Sequence, residues 1–73
     1  MNIMSDKMML KLGKKIKQLR IKQNLTQQKL ADASGFNIKH LQKIEGKTPI
    51  NITLKTLVNI SKSLKTTPAN LLK

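Results

Sequence analysis

The stretch LTQQKLADASGFNIKHLQKIEG, residues 25–46, constrains the fold of this chain more than any other part of it. It reads as two amphipathic segments on either side of Gly35, each about eight residues long and so marginal as an isolated helix in water. Thr26 opens the first, because its hydroxyl can accept from the orphan amides of the turn ahead. Leu30 and Ala31 give that segment an inward side, and Gly35 follows where a left-handed C-terminal residue is expected. Asn37 is a second capping candidate. It opens a segment running from Ile38 to Glu45, with Leu41 and Ile44 as an inward pair. Two such segments must lean on a scaffold, which leaves one side of the second facing outward.

The rest of the chain can supply that scaffold. Leu12, Ile16 and Leu19 recur at helical spacing, predicting helix one over about residues 12–23. Leu25 is expected to pack back, and Phe36, the only aromatic residue, to be buried just after the glycine turn. Residues 46–52 hold a glycine and a proline and read as a loop. Thr53 caps helix four, whose Leu54, Leu57, Ile60 and Leu64 form one stripe. Thr67-Pro68 then repeats a start signal, a capping hydroxyl followed by proline at the first helical position, for a short helix five ending in Leu71-Leu72. No strand alternation or hairpin signal is present, so the fold class is all-α with five helices. Residues 1–11, which carry all four methionines, read as an N-terminal arm that either packs on helix five or stays flexible; residues 12–73 are the domain.

Composition narrows the function. Seventy-three residues make one domain of marginal core size, and the absence of cysteine removes disulfides and thiolate metal sites. Fifteen Lys or Arg against three acids (Asp6, Asp32 and Glu45) give a net charge of +12, which attracts polyanions. Three acids and a single histidine, His40, offer neither a carboxylate pair nor a nucleophile with its base, and no phosphate-binding glycine loop is present, so an enzyme is not expected. No cofactor, metal or small-molecule ligand is expected either. No apolar run approaches the roughly 18 residues of a membrane span, and a cytoplasmic location follows as the expectation.

The run LGKKIKQLRIKQNLTQQKLADASGFNIKHLQKIEGKTPINITLKTLVNISKSLKTTPANLL resembles the helix-turn-helix family of phage Cro and repressor proteins, also called the XRE family. LGKKIKQLR, LTQQKLA, GFNIKHLQKIEG and LKTLVNISKSL match in order over nearly the whole chain. The resemblance implies a lambda-repressor-like, five-helix DNA-binding domain with its helix-turn-helix at helices two and three. It implies base contacts from the opening of helix three, at Asn37, Ile38 and Lys39, with Lys43 one turn beyond. Lysine can donate to guanine O6 and N7, whereas Ile38 can sense only a thymine methyl. Phosphate contacts are expected from Thr26 and Gln27 at the amide-rich start of helix two, from His40 at the groove edge, and from Lys47 and Thr48 in the following loop. The resemblance also implies an Arg20–Glu45 pair across helices one and three. Here Glu45 and Gly46 are adjacent, where many relatives carry a residue between them, and Ile38 stands at a commonly polar position.

Blander readings compete. Arg20 and Glu45 could be an exposed pair worth about 0–1 kcal/mol rather than a buried one. Lys11, Lys14, Lys15 and Lys17 read as a solvated face with no assigned contact. Leu71 and Leu72 could close the core or, with Val58, form a patch for a twofold partner; a homodimer on a palindromic operator is expected. Membrane-surface binding through helix one is disfavoured by its narrow stripe without Trp or Phe. The alternative function is a protein-interaction module, such as an antitoxin or a bridging factor. Small controllers of restriction-modification genes share the layout, in which no ligand-sensing or catalytic domain follows helix five.

Overall fold

Each helix opens on a side chain that accepts a hydrogen bond from a backbone amide of the first turn, where amides have no partner within the helix. The computed structural model describes residues 5–73, in which Ser5 caps α1 (Asp6–Lys22) and Thr26 caps α2 (Gln27–Ser34). Asn37 caps α3 (Ile38–Ile44), Thr53 caps α4 (Leu54–Ser63) and Thr67 caps α5 (Pro68–Leu71), with Pro68 in the first turn. There is no strand among the described residues, and none of the helices is long and apolar enough to cross a membrane.

The first helix corrects the sequence reading. It starts at Asp6 rather than Leu12, because the Ser5 hydroxyl accepts from the Met8 amide and Asp6 sits at the positive end of the helix dipole. Met9 is buried, so much of the expected arm is helix. Residues 1–4, with Met1 and Met4, lie outside the described residues.

Three helices end by one device. After α2, the Gly35 amide donates to Asp32 O and the Phe36 amide to Ala31 O, with Gly35 left-handed at φ 77°. The same pair of return bonds closes α1 at Asn24 (φ 59°) and α4 at Lys65 (φ 57°), where no glycine is present to mark the turn.

The core gathers Leu12 and Ile16 from α1, Leu30 and Ala31 from α2, and Leu41 and Ile44 from α3. Ile52, Leu57, Ile60, Leu64 and Leu71 complete it from the C-terminal half. Leu19, Leu25 and Phe36 pack only partly against this cluster, so Phe36 is half-buried rather than enclosed. Leu54 departs further from the expected stripe: it is 72% exposed, and the apolar face of α4 begins at Leu57. Polar groups tie the layers together. The Ser34 hydroxyl donates to the Ser63 hydroxyl at 2.9 Å between α2 and α4, and buried Ser61 bonds back to carbonyls of its own helix.

One contact sets the position of α3. Gly13, buried within α1, lies against the carbonyl of Ile44 at the end of α3; a Cβ there would overlap the Ile44 oxygen and come within 3.1 Å of its carbonyl carbon. Only a residue without a side chain allows α1 to cross the end of α3 so closely.

Candidate nucleic-acid interface

With Leu41 and Ile44 turned into the core, α3 leaves Lys39, Gln42 and Lys43 on an exposed face. Seven residues make barely two turns, so the direction of this face depends on what holds the helix rather than on helix propensity. At its C-terminal end the hold is a cluster of charge-assisted bonds. Arg20 Nε donates to Glu45 Oε2 at 2.8 Å and Arg20 Nη2 to Glu45 Oε1 at 2.9 Å, a two-pronged pair across α1 and the α3 C-cap. Arg20 Nη1 donates to the Leu25 carbonyl at 2.8 Å, bringing in the turn before α2.

Burial decides what kind of pair this is. The Glu45 side chain is 2% exposed and that of Arg20 10%, so the exposed-pair reading does not describe it. What Glu45 shows to solvent is therefore mainly its main chain. Gln27 Nε2 also donates to Glu45 Oε1, at 3.1 Å, so this single carboxylate draws on α1, α2 and α3 together. The family resemblance implies a phosphate contact for Gln27, whereas here one of its amide hydrogens is directed to Glu45. The link to Glu45 carries no signal in spacing, because the two residues lie 18 positions apart.

The other expected contacts divide by location. At the open end of α3, Asn37 Oδ1 accepts from the Lys39 amide at 2.8 Å. Its NH2 group can still donate, while one of the two lone pairs of Oδ1 is taken by the cap. Ile38 is half-buried and packs on the core, which reduces what it can offer a thymine methyl. Lys39 and Lys43 are exposed. Thr26 Oγ1 accepts from the Lys29 amide, leaving its hydroxyl hydrogen at the start of α2. His40 stands edge-on to Phe36, ring centroids 5.6 Å apart and planes at 87°, a favourable aromatic geometry that fixes it beside the turn. Lys43, Lys47 and Thr48 line one shallow cleft with Ile50 at the end of α3, so the loop lysine and the helix lysine are brought together.

The dimer candidates differ in burial. Leu71 is 1% exposed and belongs to the core, which corrects its place in an exposed patch: helix five is too short to bury anything else and uses this leucine to dock. Leu72 remains exposed and Val58 half-buried.

A short helix anchored from behind, with donors on its outward face and a capped helix N-terminus beside it, is the arrangement that presents side chains to a major groove. A family model described as helix-turn-helix matches residues 16–71. The crystal structure of the restriction-modification controller protein C.AhdI from Aeromonas hydrophila is similar, with a TM-score of 0.80 at 25% identity over 86% of this chain and 94% of that chain. Comparison with curated protein sequences gives no match. With five helices in this order, an outward α3 and a family match over most of its length, this chain belongs to the XRE-type helix-turn-helix family of DNA-binding transcriptional regulators.

Proposed function

We propose that the protein binds a roughly palindromic operator as a homodimer and controls transcription there by occluding or recruiting polymerase. The observation that carries this reading is α3 itself: its inner face is fixed by Leu41, Ile44 and the Glu45 cluster, and its outer face carries Lys39 and Lys43. Those two lysines read guanine edges. Asn37 adds a donor, and Ile38 makes at most an apolar contact from the edge of the core. Thr26, Gln27, His40, Lys47 and Thr48 hold phosphates on either side. The second Gln27 amide hydrogen serves that contact while the first keeps its bond to Glu45.

Size supports the dimer. The domain is 31 Å in its longest dimension and carries one recognition helix, while successive major-groove faces lie ~34 Å apart, so reading two half-sites takes a second copy. The apolar surface proposed for that contact is Val58 and Leu72, joined by Leu54, which lies one helical turn before Val58. The likeness to a restriction-modification controller protein favours a small regulator.

Selection of bound sequences from a random duplex pool tests the reading. The expected result is an enriched inverted repeat bound ~10³-fold or more above a scrambled duplex. Enrichment of nothing, with binding that only collapses as salt rises, is charge attraction to phosphates and overturns it.

A further inference from the structure

Lys14 and Lys17 have no role in the reading above, and by sequence they were only part of a solvated face. The structure places both, exposed, in a second cleft with Leu10, Lys47, Gly46 and Glu45. Lys47 and Gly46 also line the cleft of Lys43 and Thr48, so the two hollows meet at the turn after α3. The basic groups thus form one track, from the recognition helix at Lys43, over the turn at Lys47, onto α1 at Lys17 and Lys14. A third hollow shares Lys14 and continues the track to Lys11 and Lys15. The only acid lining the first two hollows is Glu45, and its charge is already paired with Arg20.

We infer that this track is a binding surface for the DNA backbone flanking each half-site, with Lys14, Lys17 and Lys47 holding consecutive phosphates of one strand. The inference rests on the regulator reading and extends its footprint. A duplex backbone is the occupant because the track runs without a break from the groove-reading face, carries one sign of charge, and offers flexible ammonium groups rather than a shaped pocket. Lysine binds phosphate as a point charge, which follows a backbone without reading its sequence. Lys14 and Lys17 lie three residues apart on one face of α1, neighbours on the helix surface that point into the same hollow.

The test compares the unsubstituted protein with a Lys14→Gln, Lys17→Gln double variant and a Lys62→Gln, Lys65→Gln control, which removes the same charge from exposed positions at the end of α4. Each is titrated across salt on the selected operator, once with flanking base pairs and once trimmed to the inverted repeat. Loss of two phosphate contacts per protomer is expected to lower the slope of log K against log salt by ~2 for each bound copy on the flanked duplex. The preference for operator over scrambled sequence is expected to stay the same, and trimming the flanks is expected to weaken the wild type but not the double variant. Equal slopes for the wild type and the double variant overturn the inference while leaving the regulator reading intact. An equal loss in the control does so too, since it reports net charge alone. Failure of the wild type to select any operator overturns the regulator reading and this inference with it.

Discussion

The two ends of α3 are held in different ways. At its C-terminal end, Glu45 takes bonds from Arg20 and Gln27, and Gly13 lets α1 press directly on the Ile44 carbonyl. At its N-terminal end, the only side-chain hydrogen bond among the described residues is the cap, in which the Lys39 amide donates to Asn37 Oδ1, with Ile38 resting partly on the core. One end is fixed by two other helices, α1 and α2, the other by a single local turn. A recognition helix anchored at the far end can present its opening residues without having them enclosed. The opening residues are thus freed from holding the helix in place, within a helix of only seven residues.

Four substitutions break or sharpen that comparison. Glu45→Ala leaves the buried Arg20 guanidinium with only the Leu25 carbonyl, and is expected to cost about 3–5 kcal/mol of folding stability. In thermal melts that is a fall of roughly 12 °C or more, whereas Lys62→Ala, on an exposed position, hardly moves the midpoint; equal melting temperatures would remove the anchor. Gly13→Ala forces α1 away from Ile44 and is expected to cost about 3 kcal/mol in urea unfolding. At the open end the sign of the comparison reverses. Lys39→Ala is expected to leave the melt unchanged and to reduce discrimination between operator and single-base variants by about 2 kcal/mol in competition binding. The smallest effect is that of Asn37→Ala, about 1 kcal/mol of stability from the lost cap. A loss there matching Glu45→Ala would show that the two ends are held alike.

Much of this arrangement is local chemistry and could be read along the chain. Thr26, Gly35, Asn37, Thr53 and Thr67-Pro68 each mark a boundary that the backbone obeys, because capping involves residues within one turn. The Arg20–Glu45 pair was reached through family resemblance, since no spacing rule joins residues 25 positions apart. Other features depend on packing that no local pattern announces. Gly13 looks like a weak point in a helix until α3 is laid across it. Leu54 satisfies the apolar period of α4 yet faces out, while Ile52 in the loop before it is buried in the core. The start of α1 is marked locally too, by the capping signal at Ser5 and Asp6, but it lies ahead of the Leu12, Ile16 and Leu19 stripe that carries the helical period. The basic track needed the fold as well, for it joins α1 to a loop some thirty positions later.

The contact between Phe36 and His40 has a spectroscopic consequence. The chain contains one phenylalanine, one histidine, and no tyrosine or tryptophan. Its aromatic proton spectrum therefore comes from two rings alone, and those rings meet edge-on at the joint between α2 and α3. The magnetic anisotropy of the phenyl ring shifts the imidazole resonances according to the angle and separation of the two. The protein thus carries, without any label, a reporter on the turn within its own helix-turn-helix unit.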